Sequence, residues 1–302
     1  MILKLNNDEI IIYTALIGEN EGLNSQPFFN SSKLRHVCLT DDKNLSSKDW
    51  EIILVERILP QDCYRSQRHF KIRPHLVFPN YRFSLYLDNT VVLRKKTEDF
   101  LEMIINQKGI LENDPFFCIP YHSQFDLISE FNACADNNLD DQLRIYEQLN
   151  DYTKTNLDEL KSPAYWGGIL FRNHNHNEVK NLSEIWFSHI CRYSRRDQLS
   201  IIHASCQSNI NLIGFNLQNS GSEYHDWPVT NKKRKNRSFN PKYIDYIPIN
   251  YLENLSKKIN YNENLLVSLK HQKKGFRYIK KIFKLKEIYK EIKKYIKKIL
   301  NF

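Results

Sequence analysis

Asp88 follows the apolar run Phe83–Leu87 (FSLYL) and is followed by Asn89 and Thr90. A carboxylate at the carboxyl end of an internal strand stands where α/β sheets bind ligands. Such a group can hold Mg2+ or Mn2+, because hard cations take oxygen ligands. The alternative is a turn aspartate that closes the strand. Arg65, Arg68 and Lys71 recur at i, i+3 and i+6, within about a third of a helix circumference. Cations so placed can grip a diphosphate, arginine through its planar fork, or can form a solvated basic face. Asp197 and Gln198 open another helical stretch. Asp197 is either its N-cap or an active-site carboxylate with Gln198 as a hydrogen-bonding partner. His174, His176 and His225 are each able to ligate a metal, although a lone histidine more often has another role.

The elements that position these groups follow from the apolar pattern. Residues 10–17 (IIIYTALI) are a continuous β-branched and aromatic run ending at Gly18, the signature of a buried parallel strand. Residues 34–40, 51–56, 83–87, 116–120 and 167–171 predict further strands, and 91–93 a short extension. Helices are predicted from Cys63 to about Arg73, where Pro74 interrupts, and over 97–107, capped by Thr97. Others are predicted over 125–135, 139–152, 182–193 and 197–204. Strands alternating with helices predict an α/β fold with helices on both faces of the sheet.

Composition bounds the rest. With 41% apolar and 13% aromatic residues the chain can build a sizeable core, which excludes global disorder. The net charge of +9 suggests nucleic acid until it is located: residues 271–302 carry twelve Lys and Arg against two Glu. The other 270 residues are nearly neutral, with 32 positive and 33 negative charges. The six cysteines form no CxxC pair and are expected to be ordinary reduced thiols. A strand beginning within ten residues of Met1 and the lack of a long apolar run predict a cytoplasmic protein without a leader or a membrane span.

In that tail the apolar positions Tyr278, Ile282, Leu285, Tyr289, Ile292, Ile296 and Ile299 step alternately by four and three. This pattern predicts a basic amphipathic helix with one narrow apolar seam. An anionic membrane surface is its favoured partner. A coiled-coil contact comes second, and nucleic acid comes last because no reading module accompanies the charge. The expected organisation is a catalytic domain over 1–230, a connecting segment over 231–270 containing KKRKNR, and the helix over 271–302.

Taken together the segments resemble the plant turgor-defect and mucilage-related glycosyltransferase-like domain family. The residues that carry the resemblance begin with Tyr13 to Gly18, Cys38-Leu39-Thr40-Asp41 and Trp50. They continue with Arg65-x-x-Arg68-x-x-Lys71-x-x-Pro74-His75 and Ser84 to Asp88. Tyr165-x-Gly167-Gly168, Arg172-x-His174, Trp186 and Arg196 to Ser200 complete the set. The resemblance implies a GT-A-like, Rossmann-type sheet that binds a nucleoside-diphosphate sugar at its strand ends. Thr14 and Ala15 would then line the nucleoside, with Arg65, Arg68 and Lys71 facing the diphosphate. Asp88 would take the first place of a DxD-like motif, with His225 as a further metal ligand and Asp197 and Gln198 near the sugar. Thr90 stands where many such enzymes carry a second Asp, so dependence on Mn2+ or Mg2+ is open.

The implied reaction is hexose transfer to a glycan or lipid-linked acceptor, in surface polysaccharide or glycolipid synthesis, at the inner face of a membrane. The competing expectation is a catalytically inert α/β module that binds anionic membrane or nucleic acid through its tail. A hydrolase on the same fold is a third.

Overall fold

The computed structural model describes residues 1–18, 22–123, 126–155 and 158–227, all within one compact unit of the chain. The predicted tail helix over 271–302 and the KKRKNR segment lie outside the described residues. In chain order the strands are β1 (Ile10–Leu16), β2 (Arg35–Thr40), β3 (Glu51–Leu54), β4 (Phe83–Leu87), β5 (Val92–Leu93), β6 (Phe117–Pro120), β7 (Ile169–Arg172), β8 (Ile213–Phe215) and β9 (His225–Asp226). The helices are α1 (Cys63–Ile72), α2 (Pro74–Val77), α3 (Thr97–Lys108), α4 (Leu127–Asp136), α5 (Gln142–Thr155), α6 (Asn177–Arg192) and α7 (Ile201–Ser208).

Seven strands form one mixed sheet in the order β3-β2-β1-β4-β7-β6-β8, and β5 pairs with β9 in a separate two-stranded clip. β3, β2, β1 and β4 run parallel, whereas β7 is antiparallel to both β4 and β6. The order of the parallel strands reverses between β1 and β4. In α/β sheets such a switch point opens a crevice beyond the carboxyl ends of the strands. All seven β1 residues are buried, as a continuous apolar run requires when both faces are covered.

The pleat sends alternate residues to opposite faces. Ile10, Ile12, Phe83, Leu85 and Leu87 share one apolar cluster with Phe100, Leu101, Ile104 and Ile105 of α3. On the other face Tyr13 donates to the Lys71 carbonyl of α1 (2.9 Å), and α1 packs on α6. Trp186 of α6 is fully buried beside Phe117 and donates its indole N–H to the Asp197 carbonyl (2.9 Å). Replacing a buried tryptophan of this kind by alanine costs about 3–5 kcal/mol.

Several local expectations are corrected. Thr97 does not cap α3: it is the first helical residue, and its hydroxyl pairs with His36 Nε2 (3.0 Å). α5 begins at Gln142 rather than 139, since Asp140 is tied elsewhere, accepting from the Ser194 hydroxyl (2.7 Å) and the Arg195 amide (2.8 Å). α6 begins at Asn177, five residues before the expected start at Leu182, and its first turn already buries Val179. The short strands β8 and β9 carry too few residues to show a period.

Candidate active site

The cluster is built from three elements that converge at the carboxyl end of β4. The pleat places Ser84, Tyr86 and Asp88 on the α1 face, and the Tyr86 hydroxyl donates to Asp88 Oδ1 (2.8 Å). The Asp88 amide donates to the Gly168 carbonyl (2.8 Å) and the Asp88 carbonyl accepts from the Val91 amide (2.9 Å), which fixes the strand end. From α1, whose N-cap Asp62 accepts from the Arg65 amide, Lys71 reaches inward. Its ammonium lies 2.5 Å from Asp197 Oδ2 and 3.5 Å from Asp88 Oδ1, with its side chain only 2% exposed. Arg68 Nε stands 3.4 Å from Asp197 Oδ1. The result is a chain of alternating charge, Asp88–Lys71–Asp197–Arg68, buried at Asp197 and open to solvent at Asp88.

Asp197 is not an N-cap. It lies in a single 3-10 turn ahead of α7, and its carboxylate points at the cations of α1. Burial pushes its carboxyl up, but the charges of Arg68, Lys71 and Arg196 more than reverse this and hold it well below the usual range. Gly167 makes room for the pair. A Cβ there would meet Asp197 Oδ2 at 2.8 Å and Lys71 Nζ at 3.0 Å.

Beneath the cluster lies Arg172, fully buried. Its guanidinium donates to the Tyr13 hydroxyl (2.6 Å), the Ser84 hydroxyl (3.3 Å) and the Lys71 carbonyl. Tyr13 and Arg172 thus both satisfy the carbonyl that the α1–α2 break at Pro74 leaves near a helix end. Burial lowers the Arg172 pKa and raises the Tyr13 phenol to about 12. Gln67 donates to the Tyr86 hydroxyl (2.7 Å) and pairs with Arg68, tying the aspartate's support to the arginine.

Other expected site residues are placed elsewhere. Arg65 turns away from the cluster: it pairs with Asp62 (2.7 Å) and donates to the carbonyls of Ile190 (2.7 Å) and Tyr193 (2.8 Å), fastening α1 to α6. Gln198 is buried, and its amide oxygen accepts from Arg196 (2.7 Å). Thr14 and Ala15 are buried within β1, and the Thr14 hydroxyl lacks a hydrogen-bond partner. Gly18, with φ +86°, ends β1 in a conformation that favours glycine, and its amide donates to Asp41 (2.9 Å).

The histidines do not converge on Asp88. His225 is fully buried, with Nδ1 against the Ser222 hydroxyl (2.9 Å) and Nε2 toward the Asn219 carbonyl (3.4 Å). Both its nitrogens are engaged within its own turn, which argues against the expected metal role. His174 contacts the Phe78 carbonyl through Nε2 (3.1 Å), and burial drops its pKa to about 3. Among the described residues no three His, Cys, Asp or Glu side chains stand together as a cation site. Asp88 fits another mode, in which Mg2+ or Mn2+ takes one protein carboxylate and completes its shell with substrate phosphate and water. Thr90, in the place of a second Asp, brings a neutral hydroxyl in place of a carboxylate, and that hydroxyl accepts from the Trp227 indole N–H (2.8 Å).

Residues 29–217 match the TOD1/MUCI70 glycosyltransferase-like domain. The chain belongs to this family. The matched TOD1/MUCI70 segment contains Arg68, Lys71, Asp88, Gly167, Arg172 and Asp197. The Arabidopsis thaliana protein named "Probable hexosyltransferase MUCI70" is 29% identical over 168 residues, covering 53% of this chain and 28% of the plant protein. The chain therefore spans under a third of that relative's length. The apo structure of the bifunctional glycosyltransferase WbbM covers 70% of this chain and 39% of its own, with a TM-score of 0.43 and 7% identity.

The resemblance to the family was legible in the ordered motifs; Gln67 and Trp227 were not among them. Gln67 stands one helical turn before Lys71 and meets Tyr86 on the sheet, and that i, i+4 spacing was the available signal for it.

Proposed function

We propose that this protein is a glycosyltransferase that moves a hexose from a nucleoside-diphosphate sugar to a hydroxyl of a glycan or lipid-linked acceptor. The observation that carries the reading is the Asp88–Lys71–Asp197–Arg68 cluster at the switch point between β1 and β4, inside the family segment. In the transfer the bond from the anomeric carbon to the diphosphate oxygen breaks, and its electron pair leaves with the diphosphate. The acceptor oxygen bonds to that carbon, and its proton passes to a base. Negative charge collects on the leaving diphosphate, and preorganised cations in a partly desolvated site stabilise such charge. Arg68 and Lys71 are the candidates for this work.

Asp88 would hold a divalent cation, which when bound supplies further stabilisation of the diphosphate. Asp197 suits a different task from proton abstraction. A general base works best with a pKa near the operating pH, and its surrounding cations keep Asp197 ionised. Its role in this reading is to fix Lys71 and to present negative charge near the sugar. The lysine-rich sequence of 271–302 supports association with an anionic membrane surface, at the inner face in this reading, in polysaccharide or glycolipid synthesis.

The test is to incubate the full chain with UDP- and GDP-hexoses and an oligosaccharide acceptor, following acceptor mass and free nucleotide. Acceptor extension matched by nucleotide release is expected. Nucleotide release with free sugar and no extension would favour a hydrolase, and no release from any donor would overturn the reading.

A further inference from the structure

The chain holds four tryptophans, and three of them are buried: Trp50 (3% exposed), Trp166 (3%) and Trp186 (0%). Trp227 is 39% exposed, and it stands beside the candidate active site. Its position follows from the β5–β9 clip. Val92 pairs with Asp226 and Leu93 with His225, so the chain returns antiparallel to the segment that leaves Asp88. The Arg94 amide donates to the Tyr224 carbonyl (2.8 Å) and the Ser222 amide to the His225 carbonyl (2.7 Å), which hold the clip closed. Trp227 comes next and donates its indole N–H to the Thr90 hydroxyl (2.8 Å), two residues from Asp88. Its ring packs against the buried Trp166 at 5.3 Å and 60°.

A large aromatic side chain held in one orientation but left open to solvent is a prepared surface. The ring face carries the negative lobe of its quadrupole, which suits the weakly positive C–H face of a pyranose. Neighbouring polar groups can take the hydroxyl rim of the same sugar, the usual division in a small-molecule site. Here Asp88 supplies a carboxylate within two residues of Thr90, the anchor of the indole. Because the indole is already fixed at its N–H and on one side by Trp166, little side-chain freedom is lost on binding. Trp227 lies ten residues beyond the matched segment of 29–217.

We propose that the exposed face of Trp227 is a platform for a hexopyranose ring at the mouth of the Asp88 cluster, a proposal that rests on the glycosyltransferase reading above. The ring belongs either to the donor or to the acceptor, and the two sources are separable. A bare staple that closes the clip would instead give Trp227 a role in stability without effect on sugar.

The experiment compares the full-length wild type with Trp227→Ala and Trp227→Phe. Affinity for UDP and GDP is measured first, then the KM for UDP- and GDP-hexoses and for a lactose or cellobiose acceptor. Acrylamide quenching of tryptophan fluorescence is followed in parallel, since Trp227 is the exposed indole. The proposal expects Trp227→Ala to keep nucleotide affinity while KM rises roughly tenfold, about 1.4 kcal/mol of binding, for one sugar-bearing substrate. Trp227→Phe should stay within about threefold, since it keeps an aromatic face. A rise for the donor hexose with quenching protection by UDP- or GDP-hexose assigns the ring to the donor. A rise for the disaccharide with protection by it assigns the acceptor. Unchanged KM values for both substrates, or a parallel loss of nucleotide affinity in Trp227→Ala, overturns the proposal alone. A wild type that binds neither UDP nor GDP removes the glycosyltransferase reading and this proposal with it.

Discussion

The ammonium of Lys71 and the carboxylate of Asp197 meet at 2.5 Å, with each side chain only 2% exposed. A pair so completely removed from water pays a large desolvation cost, and its attraction must repay it. Removing one partner leaves the other charge buried. Lys71→Met or Asp197→Leu alone should therefore destabilise the fold by about 3–5 kcal/mol. The double replacement should recover much of this loss, while transfer activity stays absent in all three. Urea denaturation of the four proteins checks it, and a double variant no more stable than the worse single one would contradict it.

The two basic side chains of α1 that the spacing groups with Lys71 should behave differently. Arg65→Ala removes hydrogen bonds to the Ile190 and Tyr193 carbonyls and should cost about 1–3 kcal/mol of stability. It should leave nucleotide affinity within about twofold, because its side chain is directed at α6. Arg68→Ala should weaken nucleotide binding by roughly tenfold or more, as loss of a charge-assisted contact does. Equal effects of the two variants on binding would refute the placement.

Gly167→Ala tests the geometry with a single methyl group. The added carbon would sit 2.8 Å from Asp197 Oδ2 and 3.0 Å from Lys71 Nζ, both nearer than an ordinary contact. The expected outcome is a folded protein, destabilised by about 1–3 kcal/mol as overpacking is, with its nucleotide affinity sharply reduced. Calorimetric binding beside thermal unfolding separates these effects. Wild-type affinity in this variant would show that the pair need not hold its position.

Acid should destabilise the protein in two stages. His174 is buried and its pKa is lowered to about 3, while the unfolded chain titrates near 6.5. Between these values the unfolded state binds the extra proton, so stability falls with falling pH by up to about 1.4 kcal/mol per pH unit. The Asp197 carboxyl is also depressed in the fold. Its contribution is complete above the unfolded value near 4 and is lost as pH drops below it toward the folded value. Burial also lowers His36, His69 and His189 to about 4, so urea midpoints from pH 7 to 3 should show the first decline made shallower, not abolished, in His174→Gln. An unchanged slope in that variant would locate the acid sensitivity elsewhere.

Much of the fold could be read from local chemistry. The apolar run at 10–17 had to be a strand covered on both faces, and Asp88 stands at the end of another because the run Phe83–Leu87 gives way there to the polar triplet Asp88-Asn89-Thr90. Direction was not legible. The stretch at 167–171 reads as a strand either way, and only pairing with β4 and β6 makes it antiparallel. Spacing on α1 brought Arg68 and Lys71 together but could not say that Arg65 lies at the edge facing α6. A histidine in EYHDW offers two ligating nitrogens on paper, and the turn from Asn219 to His225 uses both. The tryptophan two residues later carried no period or motif, and its place beside Thr90 exists only once β9 returns to β5.

The central claim is that the Asp88–Lys71–Asp197–Arg68 cluster binds a nucleotide diphosphate. Its most direct test is calorimetric titration of UDP and GDP into the full chain, with and without Mn2+, for wild type, Asp88→Ala and Arg68→Ala. The account predicts saturable binding of one nucleotide, strengthened by Mn2+ in wild type, with that strengthening lost in Asp88→Ala and the underlying affinity reduced in Arg68→Ala. A folded wild type that binds neither nucleotide under either condition would contradict it.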